Sequence, residues 1–352
     1  MKITAPISRV EEIEILAAAG ADEFYCSVVP ESWTSTFKTS AVSRRAFGNL
    51  PEFSDLEKAV TEAHRLGKQL HLVMNSQHYT GEQLACLLDL ARLFDEMQGD
   101  SVIVGDETLL ALLGSHDFNF QIHVSSIASC RNSESASFHQ ALGADRIIFP
   151  RDMKISEMES MVAANPSLEF EAFMLNDGCV YEEGSCHTIH LPGKLGGAIC
   201  IDNYQSNDQR IDGKPLSDAE KKAFEINDKD YQKWLWYRFG NGFSVSPNGM
   251  PYRPCGLCAL PRFLASSVTS VKIAGRDAPT ERKLKSVQMV NAVRETLIEQ
   301  GGDAAKALAR GMREQPEHCQ TGYMCYYPEV RMKPDAKTLQ KTQNAIEVVD
   351  LS

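Results

Sequence analysis

The chain has 352 residues, 43% hydrophobic and 24% charged, with a formal net charge of -11. That length buries a full core without covalent staples, and no run approaches the roughly 18 to 20 apolar residues of a membrane-spanning helix, so membrane insertion is not expected. The acidic balance argues against a nucleic-acid partner, which calls for an excess of Lys and Arg, and the opening Met-Lys-Ile-Thr-Ala-Pro has no export-signal pattern, so a reducing cytoplasm is expected.

Short β-branched or aromatic runs at 2–4, 23–28, 69–75, 101–106, 119–126, 146–150 and 168–175 alternate with amphipathic runs at 8–19, 54–66, 81–97, 107–113, 133–142 and 155–164. That is the pattern of repeated βα units. Ser8 and Ser54, each three residues before a Glu (Glu11 and Glu57), predict capping boxes at two helix starts. An eighth strand is expected at 270–276, followed by a helix over 280–300.

Eight strands separated by helices predict a TIM-like (β/α)8 barrel over 1–300, an open doubly wound sheet being the alternative. In either fold the residues just past the strand C-termini face the site, which points to Asn75, Ser125, Arg151 and Cys179. Residues 202–254 break the rhythm with polar composition and an aromatic knot at Trp234, Trp236 and Tyr237, and read as an inserted lid with its own small helix. Residues 301–352 read as a C-terminal helical extension.

Ten cysteines in a reducing compartment point to metal or catalysis before disulfides. Cys179 and Cys186 form C-x6-C after the seventh strand, Cys200 follows a turn with Gly193, Gly196 and Gly197, and Cys255-Gly-Leu-Cys258 precedes the eighth. Four thiolates satisfy zinc or an iron-sulfur cluster, and ligand type alone does not choose. The wide dispersal suits a larger cluster somewhat better than a zinc ribbon. Cys26 and Cys86 read as small buried apolar residues and Cys130 as an unassigned loop thiol. Cys319 and Cys325 are too few for a closed site, unless His318 joins them in a second one. His123 reads as a core histidine, and His187 and His190 either tune a cluster or sit idle in a loop.

The segment His123-Val-Ser-Ser, then Asn132, then Leu142-Gly-Ala-Asp-Arg-Ile-Ile-Phe-Pro-Arg-Asp152, followed by Glu171-Ala-Phe and the C-x6-C pair, resembles peptidase family U32. Asn75, an Arg44 or Arg45 upstream of Asn49, Gly256-Leu-Cys258 and Lys272-Ile-Ala-Gly-Arg276 extend the resemblance over about residues 1–280. It implies a barrel whose mouth holds a 4Fe-4S cluster on Cys179, Cys186, Cys200 and Cys258, with Cys255 as the alternative fourth ligand and zinc as the alternative metal.

It also implies oxygen-independent hydroxylation, of quinone precursors or RNA bases in family members, with prephenate implicated as oxygen source. The expectation here is an iron-sulfur enzyme, or subunit of one, acting on a small molecule, with an electron donor or a second family member as protein partner. A noncatalytic cluster-bearing subunit of a heterodimer and a peptidase are the alternatives, although no Ser-His-Asp, Cys-His or H-E-x-x-H arrangement is visible. No catalytic residue is assigned. Arg44, Arg45, Arg151, Lys272 and Arg276 are candidate carboxylate binders, with Asn75 and Ser125 beside them. Leu175 and Asn176 in place of a family His-Gly, Ala274 in place of an acidic residue and Asp152 in place of a Glu predict a different substrate from that of the best-known members.

Overall fold

The structure, a computed structural model, describes residues 1–45, 47–179, 182–186, 200, 207–237, 245–246, 249–313 and 316–332. His187, His190 and the glycines at 193, 196 and 197 lie outside them.

The eight strands are β1 (Lys2–Pro6), β2 (Glu23–Cys26), β3 (Gln69–Met74), β4 (Ser101–Val104), β5 (Gln121–Val124), β6 (Arg146–Ile148), β7 (Glu169–Leu175) and β8 (Ser270–Ile273). Each pairs in parallel with the next and β8 pairs with β1, which closes the (β/α)8 barrel. Every residue of β2, β4, β6 and β8 is buried, as required when helices cover the outside and side chains fill the inside.

The helices are α1 (Glu12–Ala18), α2 (Glu31–Phe37), α3 (Asp55–Arg65), α4 (Gly81–Glu96), α5 (Glu107–Gly114), α6 (Ser133–Ala141), α7 (Ile155–Ala164), α8 (Asp218–Leu235), α9 (Leu260–Ala265), α10 (Thr280–Gln300), α11 (Gly302–Gly311) and α12 (Pro316–Gln320). In α3 the buried positions are Leu56, Ala59, Val60 and Ala63, a single stripe at helical spacing turned onto the sheet. Among the described residues no helix is long and apolar enough to cross a membrane.

The capping boxes expected at Ser8 and Ser54 do not form. The Ser8 N–H donates instead to Glu12 at 2.8 Å, and Glu12 is drawn inward by Lys283 at 2.8 Å, so α1 starts later. Ser54 is already in the helical region and caps nothing. Capping boxes occur at Thr80 with Gln83 and at Ser217 with Glu220.

The barrel interior is unusually charged in its lower half. Arg146 donates to Glu23 at 2.7 and 2.9 Å and to Glu171 at 3.2 Å, and Lys272 donates to Glu171 at 2.7 Å. Thr4 donates to Glu23 at 2.8 Å, and Nε2 of His71 lies 3.3 Å from Glu23 without hydrogen-bond alignment. Glu23, Glu171 and His123 are fully buried. Burial alone would raise both carboxyls, but Arg146 and His71 hold Glu23 well below its ordinary range, and Lys272 and Arg146 lower Glu171.

The inserted segment does contain a helix, α8, which buries none of its residues. Its exit is anchored by aromatic contacts: Trp236 lies 5.4 Å from Tyr252, and Tyr237 lies 5.5 Å from His318 and 6.0 Å from Tyr323. The chain after α12 returns to the barrel rim. Tyr327 donates to the Phe173 carbonyl at 2.6 Å, Tyr326 donates to the carbonyls of Asn176 and Asp177, and the backbones of Cys255 and Cys325 pair as an isolated parallel β-bridge, with no disulfide between the two.

Candidate functional site

The strand C-termini open onto a cavity of about 120 Å³. Tyr25, Val73, Ile103, Ile148, Phe173 and Lys272, from β2, β3, β4, β6, β7 and β8, line its inner end, where Lys272 joins it to the charged network. All seven binding residues read from the sequence, Arg44, Arg45, Asn75, Ser125, Arg151, Lys272 and Arg276, line it. Asn75 Nδ2 donates to Ser125 at 3.0 Å, and its Oδ1 receives the Arg44 N–H at 3.3 Å, which ties the ends of β3 and β5 to the Arg44 loop.

The basic residues divide by partner. Arg45 bridges Asp177 and Asp277 at 2.8 and 2.7 Å. Arg151 pairs with Glu183 and lies 3.8 Å above the centre of the Phe173 ring. Lys272 is held by Glu171 and sits 4.1 Å over the Tyr25 ring. Arg276 has neutral partners only among the described residues, Ser43 at 2.8 Å and Asn49 at 3.4 Å, and burial lowers it to about 10. Arg44 likewise donates to Gln77 at 3.2 Å and to the carbonyls of Glu183 and Cys186 at 2.9 and 3.4 Å, and its buried Nη2 has no acceptor. Two guanidinium groups therefore face the cavity without a carboxylate within pairing distance among the described residues.

Sequence reasoning missed the acids that organise this rim. Asp177 receives Arg45 and also Arg253 at 2.9 Å; burial would raise its carboxyl, and these arginines hold it at about 2. Its backbone and that of Asn176 are left-handed, with φ of 43° and 67°. Asn176 is fixed in that turn by its N–H to Pro254 at 2.9 Å and its side chain to Ser286 at 3.0 Å. A polar pair directly after the longest strand was the available signal. Asp152 does not enter the cavity and pairs outward with Arg131 at 2.8 Å, whereas Ala274 lines it. His123 is buried beside His71, rings 4.9 Å apart, and burial with Arg146 nearby keeps it neutral.

The cysteines fall into two sets. Cys179 lines the mouth cavity; burial raises the Cys200 thiol, and Cys179 and Cys186 are its next influences, with Arg44 adjacent. Cys258 lies elsewhere. It shares a cavity of about 20 Å³ with Cys255, Cys319 and Cys325, beneath α11. Burial raises Cys258, Cys319 (to about 11) and Cys325 (to about 12), with Cys255 the first neighbouring charge in each case. Among the described residues no three His, Cys, Asp or Glu side chains are already gathered to hold a metal ion.

The sequence matches the profile of a family described as peptidase family U32 over residues 8–334. It is similar to tRNA hydroxylation protein P of Escherichia coli (strain K12), 26% identical over 185 residues that make up 53% of this chain and 38% of that protein. It is also similar to tRNA hydroxylation protein P1 of Bacillus subtilis (strain 168), 20% identical over 299 residues, 83% of this chain and 61% of that one. The chain thus spans less than two thirds of the length of either relative. Among solved structures, the U32 peptidase Mk0906 matches 49% of this chain and 69% of its own at 19% identity, with a TM-score of 0.39.

Proposed function

The chain belongs to peptidase family U32, and from that premise we propose that its barrel mouth is a redox site for hydroxylation-type modification of a small carboxylated molecule, with a 4Fe-4S cluster on Cys179, Cys186 and Cys200. The observation that carries this reading is that Cys179 lines the mouth together with Arg44 and Arg276, two arginines without a carboxylate within pairing distance among the described residues, and that Cys179 and Cys186 both act on Cys200 and on Arg44.

The donor set fits such a group. Thiolates are soft ligands for iron, and the unpartnered Arg44 Nη2 is an N–H donor suited to an anionic, sulfur-rich neighbour. Bound there, the group would supply electrons and, with three protein thiolates, a Lewis-acidic iron open to a ligand. Zinc on the same thiols is the alternative, and metal analysis separates the two.

The chain's own residues do the binding. A carboxylate entering the mouth meets Arg276 from the β8 end and Arg44 from the loop after α2, whose planar forks match carboxylate geometry. Asn75 and Ser125 offer neutral hydrogen bonds on the third side. Ala274, where the family has an acidic residue, removes a carboxylate that would repel an anion. Apart from Lys272, which Glu171 pairs, the inner lining is aromatic and aliphatic, and such low-polarity walls strengthen the charge contacts above them.

A second reading rests on the names of the relatives: the target is an RNA base and the carboxylate a co-reactant. The net charge of -11 weighs against it. A cluster-bearing subunit active only with a second family member is the remaining alternative. The peptidase reading lacks support, because no His lines the mouth beside Ser125 and Ser126 among the described residues.

The test is iron, sulfide and zinc content of anaerobically prepared protein and of Cys179→Ala, followed by calorimetric titration with dicarboxylates and with tRNA. Near four irons and four sulfides per chain, lost in the variant, with dicarboxylate binding, supports the reading. Metal-free protein from anaerobic preparation sinks it, and tRNA binding without dicarboxylate binding transfers the site to the RNA reading.

A further inference from the structure

Four cysteines from two distant stretches of chain line one enclosed cavity outside the barrel. Cys255 and Cys258 come from the turn before α9, and Cys319 and Cys325 from the last described segment. The backbone fixes this meeting. Cys255 accepts the Tyr326 N–H at 3.0 Å and donates its own N–H to Met324 at 2.5 Å, while Gly256 N–H donates to the Met174 carbonyl near the end of β7 at 2.7 Å. The two segments are thus hydrogen-bonded to each other and to the barrel wall.

The cavity is wrong for four neutral thiols. Arg313 lines it, is only 4% exposed, and has two buried nitrogens, Nε and Nη2, without acceptors; its third, Nη1, donates to the Pro251 carbonyl at 2.6 Å. A buried guanidinium with two orphaned donors is costly unless an anion faces it. Arg310 reaches the Cys258 thiol, and Lys306 and Arg331 add positive charge around the set. Four thiolates around a divalent ion leave a net double negative charge and sulfur lone pairs able to accept those N–H groups.

We propose that Cys255, Cys258, Cys319 and Cys325 form a closed tetrathiolate site for one soft divalent ion, zinc by its room and ligand set, which clamps the C-terminal segment to the barrel. The cavity of about 20 Å³ holds about one water-sized sphere, space for an ion and not for an iron-sulfur cube. One C-x2-C pair and a second cysteine pair facing it across the cavity supply the four thiolates of a structural zinc site, although the C-x5-C spacing of the second is wider than a usual knuckle. Closure requires the thiols to turn inward by rotamer change, since they are not gathered around a point. The site is independent of the redox reading of the mouth.

The full chain, prepared anaerobically, is assayed for zinc, iron and sulfide as wild type, Cys319→Ser, Cys325→Ser and Cys179→Ala, with zinc-edge X-ray absorption on the wild type. The expected result is about one zinc per chain with four sulfurs near 2.3 Å, at least tenfold depleted in both serine variants and retained in Cys179→Ala. Arg313→Met should release zinc to a chelator about ten- to hundredfold faster. Zinc retained in full by both serine variants overturns the site, as does a Cys255–Cys325 disulfide found by thiol counting without metal. Iron and sulfide lost from the serine variants in place of zinc overturns the single-ion assignment. Should the serine variants not fold, fewer than four sulfurs around zinc in the wild type decides against it.

Discussion

Replacing Arg146 by Met tests whether the charged barrel interior is a balanced network. Arg146 is 1% exposed and touches Glu23 at 2.7 Å, Glu171 at 3.2 Å and Glu169 at 2.5 Å. Its loss leaves two buried carboxylates, but each keeps a cation: Lys2 lies 2.8 Å from Glu23 and Lys272 lies 2.7 Å from Glu171. Removing one partner of a buried pair costs about 3–5 kcal/mol, and the remaining cations place this case at the lower end, about 3 kcal/mol or roughly a hundredfold in the folding equilibrium. The pH dependence is the sharper readout. In the wild type Glu23 is held low, so its contribution is present above the unfolded value of about 4.3 and is lost as pH falls through the folded value. In the variant burial is less opposed and Glu23 rises, so protonation relieves the folded state and the gap to wild type narrows on going from about pH 7 to about pH 5. Urea unfolding followed by circular dichroism at both pH values measures it. Adding Glu23→Gln should recover part of the loss. A penalty under about 1 kcal/mol, or one that widens at the lower pH, refutes the reasoning.

Arg276→Gln should weaken dicarboxylate binding about ten- to hundredfold by calorimetry, the worth of one charged hydrogen bond, with thermal stability little changed. His123, kept neutral by burial, has a folded value below its unfolded one of about 6.5, so its contribution is present above that and lost as pH falls; His123→Gln should flatten the stability slope between about pH 7 and pH 5, and an unchanged slope counts against it. A Cβ on Gly114 would lie 2.0 Å from the Leu142 carbonyl oxygen, so Gly114→Ala should cost about 1–3 kcal/mol in denaturant unfolding, whereas at Gly311 nothing lies within 4 Å and Gly311→Ala should be neutral or mildly stabilising. Cys258→Ala should leave mouth iron and sulfide intact while Cys200→Ala abolishes them; iron lost from both returns Cys258 to the mouth set.

The barrel was legible because its strands are β-branched and aromatic runs at regular spacing, and strand ends project toward the mouth. Apart from β1, which extends two residues past the expected end, and β7, which ends at Leu175 as expected, the predicted strands ran long at their C-termini for a physical reason. Ser27 and Ser125 continue the composition of β2 and β5, but their hydroxyls serve the rim, Ser27 donating to the Val73 carbonyl at 3.0 Å and Ser125 taking the Asn75 amide, while the Ser125 N–H keeps one bond to Val104 at 2.7 Å. Charge pairing was not legible. Arg45 finds its partners 132 and 232 residues away, and only closure of the barrel brings them near. Glu23, His71 and Arg146 occupy alternate strand positions like any inward residue, and nothing local says that their charges complement one another across the axis.

The same blindness affects the thiols, with a chemical consequence. In chain order Cys258 is the next cysteine but one after Cys200 and falls before β8, so spacing groups it with the mouth. In space its turn is bonded to the backbone near the end of β7, and the segment that follows α12 supplies the company it keeps. Moving one thiol between sets changes what each can do. Four thiolates saturate a tetrahedral ion and make a site that holds structure, as expected where a short terminal segment must be fixed to a barrel wall. In the proposed mouth site three thiolates would leave a position for a substrate oxygen, and Arg44 and Arg276, without a carboxylate within pairing distance among the described residues, would steer an anion to it. A mouth built to pass electrons only would have little use for two guanidinium groups that meet neutral partners and no carboxylate among the described residues, so under the proposed reading Arg44 and Arg276 would favour substrate binding there.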